Sequence, residues 1–420
     1  MYCCVKNAKH LEAKVDLFFE DDKIVTMTPA GHTAIPENCQ VFEADGLVLM
    51  PSLIDAHTHL REPGYEYKET IATGLEAALH GGFSNILCMA NTNPVNDNAQ
   101  VTTFIKEQAK LSHKDGPTVI PIGAATKGLL GQELAPMAEL KEAGVGAISN
   151  DGRPIASSEI MRRVMEYAAD FGLTVIDHCE DPTLAPGWVM NEGEMSSRLG
   201  VKGQPALGEA LQAARDVMLA EYLNLPIHIA HVSSAMTVDV IANAKSRGVA
   251  VTCETCPHYL LLDETALEGY NSICKVSPPL RTKHDRERLL TAIQDGTIDI
   301  LVTDHAPHIT HEKLTALDQA LFGFSGLDLA VTLTWNLVRE NLLAEDGLHR
   351  LWCRRPGEIF HIKTNGFAPS DPADFFLFDP HETWVPSNET LYSKGKNTPF
   401  LGQELMGRVK HHWIGGKQLF

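Results

Sequence analysis

Residues 51–64 read Pro-Ser-Leu-Ile-Asp-Ala-His-Thr-His-Leu-Arg-Glu-Pro-Gly, an apolar run that delivers His57, His59 and Arg61 at alternate positions. Such a run predicts a buried β-strand, and side chains two apart on a strand leave from the same face. The two imidazoles and the guanidinium are therefore expected to share one space at the strand's end. Imidazole ligates metals, and guanidinium recognises a planar anion. Arginine is rarely buried without a partner. Its place beside two histidines predicts a pocket that holds an anion next to a metal.

Outward from this run, short β-branched or apolar stretches alternate with amphipathic ones, separated by Gly, Pro or Asn. The strand candidates are 47–59, 83–91, 118–126, 145–151, 173–180, 226–232, 249–255 and 298–304. Helical periodicity fills the gaps, most clearly at 158–171, 206–223, 286–294 and 327–343, with Gly172, Gly248 and Gly296 at stop positions. Strands alternating with helices predict a parallel sheet, and eight of them predict a (β/α)₈ barrel of the TIM type. The flanks differ: 15–27, 40–44, 373–378 and 411–420 look like strands with turn signals and no helices between them. They predict a small β-sandwich built from both termini, so the domain expectation is 1–50 and 366–420 around a barrel at 51–365. Two irregular stretches, about 182–204 and 305–326, remain. The second follows the eighth strand and is expected over the barrel mouth.

A chain of 420 residues exceeds one ordinary core but suits a large barrel plus a smaller domain. Hydrophobic residues at 44% and charged residues at 21% fit a globular enzyme, with no apolar run near the ~20 residues of a membrane span. A formal charge of −19 repels phosphates, which excludes nucleic acid and anionic membrane as partners. A small anionic substrate then needs a local cationic pocket. Nine scattered cysteines point to reduced thiols, and Cys253-Glu-Thr-Cys256 reads as an inert pair within a strand. The opening residues carry no signal-peptide pattern, which predicts a cytoplasmic protein.

In such a barrel the reacting groups come from the C-terminal ends of strands. His57 and His59 end the first predicted strand, Asn91 the second, Asp151 the fourth, His178 the fifth, His231 the sixth and Asp304 the eighth, with His308 just beyond. Each alone has a bland structural explanation. Together on one rim, four histidines and two aspartates can hold two divalent metals with Asp151 as a carboxylate bridge. Zinc is the first expectation, and manganese or cobalt suit the same ligand types. A metal can lower the pKa of its water to roughly 7, which provides a nucleophile without an activated serine or cysteine. Asp304 is placed to take that proton and pass it to a leaving nitrogen. Arg61, Asn91 and His308 are left over to hold a carboxylate. Such a site hydrolyses an amide whose neighbour is negatively charged.

These residues resemble dihydroorotases of the amidohydrolase superfamily, in particular the bacterial type I form. The likeness rests on Asp55-Ala-His57-Thr-His59-Leu-Arg61-Glu-Pro-Gly64, Ala90-Asn91-Thr92-Asn93-Pro94, Asp151-Gly152, the strand-end histidines, Thr303-Asp304-His305-Ala306-Pro307-His308, Phe322-Gly323 and Ser393-Lys-Gly-Lys-Asn-Thr-Pro-Phe400. It implies metal ligands at His57, His59, Asp151, His178, His231 and Asp304. It implies substrate contacts at Arg61, Asn91, His308 and the Phe322–Gly323 backbone, with Ser277 where the family carries an asparagine. The implied reaction is reversible cyclisation of N-carbamoyl-L-aspartate to L-dihydroorotate in pyrimidine biosynthesis, with one or two zinc ions per subunit. A homodimer, and association with aspartate transcarbamoylase, are implied in the same way.

Three positions depart from the family pattern. Asp151 stands where many relatives bridge their metals with a carboxylated lysine. Asn-Pro-Pro-Leu-Arg becomes Ser277-Pro278-Pro279-Leu280-Arg281, and Pro-His-His becomes Pro257-His258-Tyr259. Two other readings compete. Hydantoinases, dihydropyrimidinases and allantoinases use the same barrel, but hydantoin and dihydropyrimidine rings carry no carboxylate for Arg61. Some relatives are catalytically silent scaffolds for aspartate transcarbamoylase, and those are expected to have lost metal ligands that are intact here.

Overall fold

The computed structural model describes residues 1–420. Eight parallel strands follow one another in chain order around a barrel: Leu53–Thr58, Phe83–Cys88, Thr118–Ala124, Ala147–Ser149, Thr174–Asp177, Ile227–Ile229, Val251–Thr255 and Ile300–Leu301. The ring is completed just past the last of these, where His59 N–H donates to His305 O at 2.8 Å and Thr58 bridges His305 in parallel. A cluster of 79 buried apolar residues fills the barrel and the layer beneath its helices.

The hydrogen-bonded strands are shorter than the apolar runs that predict them, because the ladder stops where polar side chains turn into the mouth. The predicted strand 47–59 is two strands. Val48–Pro51 pairs antiparallel with Phe375–Trp384 in a separate sheet, from Val48↔Phe378 to Pro51↔Phe375. The break falls at Ser52, whose N–H donates to Asp374 O and whose Oγ lies 2.8 Å from His412 Nε2.

Helices lie close to the periodic stretches because their ends are capped. Ser158–Asp170 starts at Ser157, which accepts from Ile160 N–H. Lys283–Asp295 starts in a Thr282/Asp285 capping box and stops at Gly296, φ 82°. The predicted helix at 327–343 is instead a 3₁₀ turn, Leu327–Leu329, followed by Ala330–Arg339. The stretch 182–204 holds the short helix Glu194–Leu199 between two paired strands of two residues each.

The second sheet takes strands from both ends of the chain. Its order is Lys417–Gln418, Leu405–Ile414, Phe375–Trp384, Val48–Pro51, Tyr2–His10, Ala13–Glu20, Lys23–Pro29, with Gln40–Glu43 added in parallel to Tyr2–His10. These strands form one hydrogen-bonded sheet, separate from the barrel, that branches at Tyr2–His10. Its core is a cluster of 14 buried residues that includes Phe19, Phe375 and Trp413. All nine cysteines are unpaired. No helix is long and apolar enough to cross a membrane.

Candidate active site

The strand ends converge on a cleft of about 350 Å³ at the barrel mouth, lined by His59, Arg61, Asn91, Asp151, His178, His231, Ser277, Asp304, Phe322 and Gly323 among others. At its floor His57 Nε2 lies 3.3 Å from Asp151 Oδ1 and 3.7 Å from Asp304 Oδ1. His59 Nε2 is 3.1 Å from Asp304 Oδ1 and 3.6 Å from Asp151 Oδ2. On the other side His178 Nδ1 and His231 Nε2 stand 2.9 Å apart, 3.5 and 3.3 Å from Asp151 Oδ1. The donor atoms form two triads, His57–His59–Asp151 and Asp151–His178–His231, each within 4.8 Å of one another. Asp151 belongs to both.

The chemistry of this donor set fits a cation. Four histidine and two aspartate side chains are buried together, and His57 Nε2 is buried with no hydrogen-bond partner although two carboxylates face it. Imidazoles and carboxylates without a lysine or arginine among them suit one or two divalent metals.

The carboxylates of the cluster favour positive charge on the imidazoles they face. Burial opposes the charge on His57, yet Asp151 and Glu254 raise it well above the ordinary imidazole value. His178, likewise opposed by burial, is pushed up to about 10 by Asp151 and Glu180. Burial works against ionised Asp151, but His57, His178 and His231 hold it well below the usual carboxylate range. A metal must expel these protons, so its affinity rises with pH.

A second layer of acceptors aims the imidazoles. His57 Nδ1 donates to Glu254 Oε1 at 2.6 Å, which leaves Nε2 free to face the centre. The same carboxylate accepts from His228 Nε2 at 3.0 Å and from His231 N–H at 3.2 Å. His59 Nδ1 donates to Asn91 Oδ1 at 3.0 Å, and His178 Nε2 to Glu180 Oε2 at 3.3 Å. Glu180 also accepts from Trp188 Nε1 at 2.8 Å, and the Trp188 ring rests 4.5 Å from that of Phe322 across the mouth. Asp55 accepts from the N–H groups of His57 and Thr303 and so ties the first strand to the end of the eighth.

Glu254, Glu180 and Asp55 were not expected to take part. Glu254 carried a signal, being the one charged residue in the apolar run 249–255. Changing Glu254 to Gln is expected to lower metal affinity about 10- to 100-fold with the fold retained, as measured by chelator competition. A third acidic group, Asp177–Cys179–Asp216, lies behind His178, but Arg215 neutralises it at 2.7 Å from Asp216. Its role is structural: Gln212 Nε2 joins Asp177 to His178 O.

Arg61 reaches the cleft by a different route from strand alternation. The strand stops at Thr58, and Arg61 adopts φ 64°. His231 and Asp304 also sit beyond their strand ends, at φ 28° and 46°, backbone conformations that cost a non-glycine residue energy. Arg61 donates to Pro307 O at 3.2 Å and approaches His308 Nε2 at 3.4 Å, but it makes no ion pair. Burial lowers its pKa, and the carboxylates of Asp304 and Asp151 counter that only in part. The structure therefore leaves a half-buried guanidinium facing the cleft without an ion-pair partner.

His308 sits at the edge of the cleft, its Nε2 against Arg61 and Phe322, which line it. It stands behind Arg61 with Nε2 on Phe322 O at 2.8 Å and Nδ1 near Lys68 Nζ and Glu312 Oε2, at 3.3 and 3.2 Å. Burial, Arg61 and Lys68 push it down to about 2, so the ring is neutral. It supports Arg61 and the Phe322 turn. Asn91 is split between roles: it lines the cleft, and its Oδ1 is taken by His59.

A family model described as "Dihydro-orotase-like" matches residues 46–237. The chain is 44% identical over 413 residues to the dihydroorotase of Syntrophus aciditrophicus, covering 98% of this chain and 96% of that one. It is 45% identical over 385 residues to the dihydroorotase of Geobacter metallireducens, covering 92% and 90%. Among solved structures, the L-hydantoinase (dihydropyrimidinase) from Arthrobacter aurescens superposes with a TM-score of 0.89 over 100% of this chain and 96% of that one. At 22% identity that likeness concerns the fold alone.

Proposed function

The chain belongs to the dihydroorotase family, and on that footing we propose that its cleft interconverts L-dihydroorotate and N-carbamoyl-L-aspartate with Arg61 holding the substrate carboxylate. The observation that carries this reading is the half-buried guanidinium, without an ion-pair partner, on the wall of the cleft that holds the histidine–aspartate cluster. A ring without a carboxylate would leave that charge desolvated for no return. A hydantoin is such a ring.

His57, His59, Asp151, His178, His231 and Asp304 are the residues that would hold the metal, zinc being the ion we assign, and Asp151 is the carboxylate common to both donor triads. When bound, such an ion polarises the ring amide carbonyl and makes water acidic enough to react near neutral pH. The protein's own part is positioning and proton transfer. Arg61, Asn91, Ser277 and the Phe322–Gly323 backbone orient the substrate so that its amide carbonyl sits over the cluster. Asp304 acts as general base and acid. It is buried, which favours its neutral form, but His59 and His57 keep it below the usual carboxylate range, so it is ionised and ready to accept a proton. In hydrolysis, water oxygen bonds to the ring carbonyl carbon, Asp304 takes the proton, the C–N bond breaks, and Asp304 returns the proton to the leaving nitrogen. Ring closure runs through the same groups in reverse and releases water.

One assay tests the reading directly. Purified protein is expected to deplete dihydroorotate, followed by its ultraviolet absorbance. Activity should vanish after chelation and return with added zinc, and chelation should be faster at lower pH. Full activity after exhaustive chelation would overturn the metal assignment, and no activity in any metal state would overturn the substrate.

A further inference from the structure

The turn 321–323 forms one wall of the cleft, and its backbone is tied down on all sides but one. Phe322 O accepts from His308 Nε2, and Gly323 N–H donates to Lys275 O at 3.0 Å. Leu321 N–H donates to Glu312 O at 3.1 Å. Gly323 O accepts from Asn397 Nδ2 at 2.9 Å. The Phe322 N–H alone has no partner within the protein.

Beneath this turn lies Lys313, whose side chain is wholly enclosed, at 0% exposure. It pairs with no carboxylate. Its ammonium group donates instead to three carbonyls: Lys275 O at 2.8 Å, Leu321 O at 2.9 Å and Gly323 O at 3.1 Å. Three N–H donors meet three acceptors, which satisfies the charge by geometry. Two of these carbonyls have other donors, Lys275 O from Gly323 N–H and Gly323 O from Asn397. Leu321 O has only Lys313.

The Leu321–Phe322 peptide is planar and trans, so its C=O and N–H point in opposite directions. An ammonium that draws Leu321 O inward therefore turns Phe322 N–H outward, on a residue that lines the cleft with Arg61. His308 Nε2 touches both Phe322 O and Arg61, which keeps the two donors together.

We propose that Lys313 is a positioning residue for the substrate carboxylate: it sets the plane of the Leu321–Phe322 peptide so that Phe322 N–H joins Arg61 as a second donor to that anion. The proposal rests on the dihydroorotase reading above. It gives a buried, acid-free lysine on the far side of the cleft wall a defined task, one that no reacting atom reveals.

The test compares zinc-loaded Lys313→Met and Lys313→Gln with the unsubstituted enzyme. Methionine keeps the chain length and removes every donor, whereas glutamine keeps two. KM for dihydroorotate is expected to rise about tenfold or more for methionine and by less for glutamine. kcat should stay within about threefold, and zinc content should not change. The Kd of orotate, which carries the same carboxylate on an unreactive ring, should rise in step with KM. A lysine that served the fold alone would lower thermal stability and leave KM and the orotate Kd where they are, and that result overturns the proposal. A fall in kcat or zinc content at unchanged KM overturns it too. If the methionine variant does not fold, KM and orotate binding of the glutamine variant decide. Absence of dihydroorotate turnover in the unsubstituted zinc enzyme would instead strike the functional reading itself.

Discussion

Changing Asp304 to Asn lowers the turnover of dihydroorotate by about 10²- to 10⁴-fold, the usual worth of a positioned general base, and leaves the overall fold in place. Asparagine has nearly the same shape and keeps an oxygen for His59 Nε2, now 3.1 Å from Asp304 Oδ1. It cannot accept and return the proton that the C–N cleavage requires. Metal content, measured on the same preparation, should remain at or near that of the parent, since His57, His59, Asp151, His178 and His231 are untouched. Turnover within tenfold of the parent would remove Asp304 from the proton path. A silent scaffold would show no change at all.

The second large effect falls on binding. Arg61→Met keeps the aliphatic stem and deletes the guanidinium, so KM for dihydroorotate should rise roughly 10- to 150-fold, because a hydrogen bond to a charged group is worth about 1.5–3 kcal/mol. Metal content and thermal stability should change little. Arg61 contributes no ion pair to the folded protein, and burial penalises its charge there. Stability could even improve, as is common where a residue serves a ligand and not the fold. Unchanged KM would mean that the carboxylate sits elsewhere in the cleft, whose wall also carries the polar side chains of Ser277 and Asn91.

The barrel and the rim were legible in the sequence for one reason: parallel strands deliver their last side chains to a common mouth. His57, His59, Asp151 and His178 lie at strand ends or within two residues beyond them, so apolar runs ending in polar residues were enough to place them. Arg61 was expected in the right place on an argument that does not hold. Strand alternation ends at Thr58, and a left-handed turn carries the guanidinium inward. No periodicity encodes that turn. His308 was expected at the cleft from its position after the eighth strand and sits at its edge, where Phe322 O, Lys68 and Glu312 claim its ring.

Glu254 was hidden because a carboxylate that orients a histidine looks, in sequence, like any charge in a strand. The strand Tyr2–His10 escaped notice for a backbone reason. Its register shifts between Val5 and Ala8 and Asn7 takes φ 63°, so the alternation that marks a strand is interrupted there. Ser52 is similar: only the partner strand, Phe375–Trp384, reveals that one apolar run serves two sheets.

The left-handed backbones of Arg61, His231 and Asp304 set the terms on which this chain can be improved. Each holds a side chain in the cleft at a cost of about 1–2 kcal/mol to the folded state, and each is a site where glycine would relax the chain and silence it. Selection for heat resistance alone would therefore erode the catalytic mouth first, and a hardier variant of this enzyme has to find its gains in the helices and the outer sheet.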